Sequence, residues 1–114
     1  MAKTLIMLVR LLGLTAIVIG ILLWSGRPTL FGAHIGVGFV VTILIFIMSL
    51  AALIKKAMLP GAVGLVLALL LPAVGFMQLP LTFHGWRMVQ VVHVMLGLAA
   101  IGLGERLYSV LQRS

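Results

Sequence analysis

The chain has 114 residues, of which 64% are hydrophobic and 8% charged, and its formal net charge is +7. Soluble domains carry roughly a quarter charged residues, so this composition excludes an ordinary soluble fold and predicts a protein embedded in a lipid bilayer. The absence of cysteine excludes disulfides, thiolate metal sites and iron–sulfur clusters. Glu105 is the only acidic residue, which excludes a carboxylate pair for hydrolysis. The basic residues flank apolar runs instead of forming a patch, so no nucleic-acid partner is expected.

Four apolar runs follow one another, each of about 18–25 residues and therefore long enough to cross roughly 30 Å of hydrocarbon. Turn residues separate them, with Gly26 and Pro28 after the first run and Pro60 and Gly61 before the third. The predicted helices cover residues 4–24, 29–54, 62–79 and 88–107. Because the connections are short, neighbouring helices are antiparallel. The sequence therefore predicts a single domain that is all-α, a transmembrane four-helix bundle with up-down-up-down topology.

Basic residues are distributed unequally between the two ends of this predicted bundle. The end that holds both termini carries six of them: Lys3, Arg10, Lys55, Lys56, Arg106 and Arg113. The other end carries Arg27 and Arg87. The positive-inside rule therefore predicts an integral protein of an inner or plasma membrane, with both termini in the cytoplasm. Arg10 lies inside the first helix, and its long side chain is expected to extend to the nearby interface.

Two histidines are predicted to lie at the same depth in the membrane. His34 follows Pro28 by six residues and His93 follows Arg87 by six, so each lies about 9 Å along its helix from the outer boundary. The second and fourth helices run in the same direction at diagonal corners, so the two imidazoles should face each other across the bundle axis. Ionisable groups in a membrane are costly and mark functional sites. Helical bundles can hold haem between two axial imidazoles, which predicts one haem b with His34 and His93 as its metal ligands.

Small and basic residues accompany the two histidines. Gly38 and Gly97 each follow a histidine by four residues on the same helix face, where they leave room for the edge of a macrocycle. Arg27 and Arg87 lie at the adjacent boundary and are suited to bind haem propionates. His84 is a surface histidine, a further propionate partner or a ligand of another site. Met88 and Met95 are alternative axial ligands near the second histidine.

The two halves of the sequence show a thin internal similarity. A shift of 59 residues aligns Gly26 with Gly85, and it also aligns both His-x-x-x-Gly segments with each other. Such a pattern is what a duplicated helical hairpin would leave, with the two copies related by an axis along the membrane normal.

The four short-looped spans, with His34-x-x-x-Gly38 on the second and His93-x-x-x-Gly97 on the fourth, resemble small b-type membrane cytochromes. This superfamily-level group includes cytochrome b561-like proteins and the membrane anchors of reductases. The resemblance implies bis-histidine haem ligation in an electron carrier or oxidoreductase subunit, not a stand-alone hydrolase. Members of the group often hold a second haem, whereas this chain has no histidine in its cytoplasmic halves. Electron flow across the membrane would then require a quinone, a redox protein or a neighbour in a homo- or hetero-oligomer.

Two other functions fit the same sequence. A small transporter would have to relay protons through histidine, because Glu105 is predicted at the membrane boundary and not at its centre. A cofactor-free structural or assembly subunit would use its stripes of small residues to dock against other helices. Among cofactors, chlorophyll-like pigments also take imidazole as a ligand.

Overall fold

The computed structural model describes residues 1–77 and 86–113, apart from the side chains of Pro28, Trp86 and Arg87. A short 3-10 turn, Pro28–Leu30, leads into the second of its four helices. The helices are α1 (Ala2–Trp24), α2 (Phe31–Ile54), α3 (Met58–Phe76) and α4 (Trp86–Gln112). Each is long and apolar enough to cross a membrane. The predicted all-α four-helix fold of a membrane protein is confirmed.

The bundle is flattened so that one diagonal pair of helices meets. Each helix contacts its neighbours around the ring formed by α1, α2, α3 and α4, and α2 also contacts α4 across the middle. The Cα positions extend over 47 × 23 × 16 Å. Side chains on the inner faces of α2 and α4 can therefore reach one another at the bundle axis.

Two helix boundaries differ from the sequence-based prediction. Helix α3 begins at Met58 and includes Pro60 in its first turn. Backbone amides in a first turn have no intrahelical acceptor, so a proline there costs the helix no hydrogen bond. Residues 78 and 79, which were predicted to continue this helix, lie outside the described residues. Helix α4 continues beyond the predicted end to Gln112, since its last turns keep burying apolar side chains such as Leu107 and Leu111.

Helices α1 and α2 end in left-handed residues, but of different types. After α1 the left-handed residue is Gly26, with φ of 96°. After α2 it is Lys56, with φ of 64°. The Lys56 amide donates to the Leu53 carbonyl and the Ala57 amide to the Ala52 carbonyl, both at 2.9 Å, which completes a Schellman motif. A lysine thus stands where glycine is the usual residue.

The hydrophobic core lies in the half of the bundle that contains the chain termini. Its most deeply buried side chains come from α1, α2 and α4 and include Ile6, Val9, Ile45, Met48 and Leu107. Ser49 is fully buried there and donates from Oγ to the Ile45 carbonyl at 2.6 Å. This half is closely packed, and the candidate site lies in the opposite half.

Candidate cofactor site

A cavity of about 710 Å³ occupies the half of the bundle away from the termini, and all four helices line it. Its size falls within the range of about 300–1,000 Å³ that is typical of cofactor and ligand pockets. The lining is mostly aliphatic, aromatic and glycine, with His34, His93 and Gln90 among its few polar side chains. Buried residues of the core side also line it: Val41, Leu71 and Ala100.

The structure brings His34 of α2 and His93 of α4 together inside this cavity. Their ring centroids are 6.0 Å apart and their ring planes are inclined by 75°. The Nδ1 atom of each ring is buried and makes no hydrogen bond within the described part of the chain. A buried polar atom without a partner costs roughly 1–3 kcal/mol, so a hydrogen-bond donor or a metal ion at either nitrogen would be stabilising.

Each imidazole packs against a glycine on the other helix of its own hairpin. A Cβ atom placed on Gly20 of α1 would lie 3.2 Å from Cε1 of His34. A Cβ placed on Gly75 of α3 would lie 3.1 Å from Cε1 of His93. These distances are shorter than ordinary van der Waals contact, so glycine is what allows the backbone to approach each ring so closely. The two hairpins thus support their histidines in equivalent ways.

Sequence patterns alone did not identify these ring contacts, because they join residues on different helices. Gly20 and Gly75 were recognisable only as small residues in the same half of the membrane. The His-x-x-x-Gly pattern relates residues of the same helix, and it therefore identified Gly38 and Gly97 instead. Both of these line the cavity, and a Cβ atom added to either would meet nothing within 4 Å. They therefore border open space beside the histidines.

The two imidazoles lie close enough together to contact one bound group. Their ring centroids are 6.0 Å apart, and the edge of each ring that carries Cε1 and the nitrogens lies against Gly20 or Gly75. A metal-centred macrocycle held here would take one nitrogen from each ring. Pro72 lies inside α3 and lines the cavity, where it withholds one backbone amide from the helix. The unpaired ring nitrogens and the apolar lining fit a haem-like group.

The structure describes the other predicted site residues to different extents. Arg27 is exposed and directly follows Gly26, which lines the cavity. The backbone of Arg87 lies in the first turn of α4, but its side chain is outside the description, and His84 lies entirely outside the described residues. Met88 and Met95 are exposed and are not among the residues that line the cavity, which argues against them as axial ligands.

Arg10 forms an ion pair instead of simply extending to the interface. Its guanidinium binds the Glu105 carboxylate in a bidentate manner, with Nη2 donating to Oε2 at 2.8 Å and Nε donating to Oε1. The pair connects α1 with α4, and each side chain is about half exposed. Glu105 therefore lies within α4 and not at its end. The sequence prediction missed the pair because the two residues are 95 positions apart.

In the described ranges, no three histidine, cysteine, aspartate or glutamate side chains come together in a way that could hold a metal ion. Comparison with known proteins finds no matching family model, no matching curated protein and no matching solved structure.

Proposed function

We propose that this protein is a small b-type cytochrome that binds one haem between His34 and His93 and takes part in membrane electron transfer. The observation that carries the proposal is the pair of imidazoles from α2 and α4, whose centroids lie 6.0 Å apart in an apolar cavity. Haem iron, when bound by two imidazoles, supplies reversible one-electron chemistry. The chain would supply the two ligands and a mostly apolar environment around them.

The glycine contacts support a role for the histidines as fixed ligands. Because Gly20 and Gly75 bring backbone against the rings, rotation of either imidazole would be restricted by its neighbouring helix. The open space beside Gly38 and Gly97 leaves room for the flat edge of the macrocycle. Ligand residues on rigid helices hold a metal group more reproducibly than residues on loops do.

The distribution of charge supports an orientation for the cavity. We infer from the positive-inside rule that the end carrying both termini faces the cytoplasm, which puts the cavity in the outer half of an inner or plasma membrane. Arg27 is exposed next to Gly26, which lines the cavity, and its guanidinium is suited to pair with a propionate. Arg87 and His84 are proposed for the same role on the sequence argument alone. From the outer half, electrons would be exchanged with a quinone, a redox protein or a neighbouring subunit.

Visible absorption of the detergent-purified chain tests the haem proposal. Wild-type protein is expected to show the sharp reduced-state bands of a six-coordinate low-spin haem. His34→Ala and His93→Ala should each lose them, while Gly36→Ala, which adds a methyl group in open space outside the cavity, should retain them. Circular dichroism should show unchanged helix content in all variants. A folded wild-type protein that stays colourless after haem reconstitution contradicts the proposal and favours a structural subunit or a transporter.

Electron paramagnetic resonance tests whether both histidines would hold the iron. Wild-type protein reconstituted with ferric haem is expected to show a low-spin signal, and His34→Ala and His93→Ala should each lose it. Gly20→Ala places a methyl group against the His34 ring and should alter this signal, whereas Gly36→Ala, which adds a methyl group in open space outside the cavity, should not.

A further inference from the structure

We propose that the surface around Arg10 and Glu105 is the interface of a homodimer in which the two copies are related by a two-fold axis along the membrane normal. This surface, here called the α1–α4 face, lies in the half of the bundle with the termini. Its central ion pair lies inside two of the apolar spans, yet about half of each side chain is exposed. Neither residue lines the cavity that holds the histidines, so the proposal is independent of haem binding.

The ion pair lies away from the ends of the two helices that carry it. Arg10 follows Lys3 by seven residues and Glu105 precedes Arg113 by eight, so the pair lies about 10–12 Å along the helices from these basic residues near the chain termini. Charged side chains at such a depth in a membrane normally face the bundle interior or a water-filled cavity. In a monomer the exposed half of this pair would instead contact acyl chains, which is unfavourable because hydrocarbon forms no hydrogen bonds.

The contact within one chain does not use all the hydrogen-bonding groups of the pair. Arg10 donates from Nε and Nη2, and Glu105 accepts with both carboxylate oxygens. A guanidinium carries further N–H donors on Nη1, and each carboxylate oxygen can accept a second hydrogen bond. The pair can therefore bind a further acceptor and a further donor from a partner.

A two-fold axis along the membrane normal makes this pair complementary to itself. The pair joins the neighbouring helices α1 and α4, so its positive and negative ends are displaced from each other in the membrane plane. Half a turn about the normal places the guanidinium of the second copy opposite the carboxylate of the first, and the converse contact forms at the same time. The charges then alternate in sign around the axis, and both copies keep the same orientation in the bilayer.

The residues around the pair are apolar and exposed. Met7 and Leu14, one helical turn on either side of Arg10, are 56% and 58% exposed. Leu98 of α4, two turns from Glu105, is 52% exposed. Acyl chains can cover these side chains but cannot bind the charges, whereas a second copy supplies both an apolar surface and oppositely charged groups at the same depth. This combination favours a second copy as the occupant of the α1–α4 face.

Exchange of the two charges tests the proposal. Full-length chains labelled with a donor or an acceptor dye are mixed in phosphatidylcholine vesicles, and energy transfer is measured as the protein density rises. Wild type should associate with itself, and so should Arg10→Glu/Glu105→Arg, because the exchanged pair is again self-complementary. Wild type mixed with this variant should associate about tenfold more weakly, since like charges would face each other and each of the two polar contacts contributes a factor of about three. Equal association in all combinations, or a wild type that stays monomeric, would overturn the proposal.

Cross-linking locates the interface without a change of charge, so it remains decisive if the exchanged variant does not fold. The chain contains no cysteine, and single thiols can therefore be introduced. In Leu14→Cys the thiol lies on the α1–α4 face, and a short thiol cross-linker should join most chains into dimers. Leu69→Cys is the matched control, because Leu69 is 69% exposed on α3, which lies diagonal to α1 in the ring of helices. Absence of dimers from Leu14→Cys, or equal cross-linking of Leu69→Cys, would overturn the proposal.

Discussion

The two halves of this bundle differ in the space beside their glycines. In the half with the termini, Gly64 of α3 faces Ser49, and Gly104 of α4 faces Val9, so that the helices come into close contact. In the other half, Gly20 and Gly75 likewise admit the histidine rings, but Gly38 and Gly97 face empty space. Glycine therefore serves close packing in both halves, and only in the half with the histidines does it also border a cavity.

The difference indicates how a small membrane protein can support a large cavity. Helix association in lipid depends on close packing, and a cavity removes those contacts from one half. The other half compensates with interdigitated Ile6, Ile45, Met48 and Leu107, all almost completely buried. Folding stability should thus come mainly from the half with the termini, while the proposed haem binding would depend on the half with the histidines.

The largest expected effect on stability comes from placing a larger side chain in the packed half. In Gly64→Val the new Cβ would overlap Ser49 Oγ, and neither Ser49 nor the adjacent Leu107 has solvent-accessible space into which to move. We expect the free energy of unfolding in mixed micelles to fall by about 3 kcal/mol, as in other overpacked cores. Gly102→Val is the control, because a Cβ at Gly102 meets nothing within 4 Å. Equal stability of the two variants would show that the packed half is not what holds the bundle together.

The next effect concerns the ion pair between α1 and α4. Removal of the Arg10 cation in Arg10→Met leaves the Glu105 carboxylate without its bidentate partner near lipid, so this variant should be less stable than wild type. The double variant Arg10→Met/Glu105→Gln removes both charges and should recover much of the loss. A double-mutant cycle of unfolding free energies measures the coupling. A coupling of zero would mean that the pair does not contribute to the packing of α1 against α4.

Hydropathy was sufficient to predict the four spans, because lipid requires long apolar helices with internally satisfied backbone groups. It was less informative about the ends of α3 and α4. Pro60 signals a break, but it is equally acceptable in a first helical turn. The continuation of α4 depends on burial of Leu107 and Leu111 against other helices, which is a tertiary effect and leaves no local signal.

The site was predictable to the extent that helix direction and depth determine it. Counting residues from the boundaries placed His34 and His93 at one level, and the structure brings their rings to 6.0 Å. The contacts of these rings with Gly20 and Gly75 were not predictable, since they depend on how each hairpin rotates about its helix axes. The Arg10–Glu105 pair is a similar case, because no local pattern connects the two ends of a chain.

The smallest effect on stability, and the sharpest test of the comparison between halves, is expected from Gly97→Leu. The new side chain enters open space in an apolar cavity, so the free energy of unfolding of the haem-free protein should change by about 0.5 kcal/mol or less. The same side chain would occupy the volume beside His93 that the proposed haem requires, so haem binding in a spectrophotometric titration should be lost.

Gly102→Leu is the matched control for that variant, because Gly102 lies on the same helix and faces open space but does not line the cavity. It should leave both haem affinity and stability unchanged. If Gly97→Leu binds haem as tightly as Gly102→Leu does, the space beside His93 is not where the cofactor lies. If instead Gly97→Leu unfolds the haem-free protein, the half with the histidines contributes to folding as much as the packed half, and the division of roles between the two halves fails.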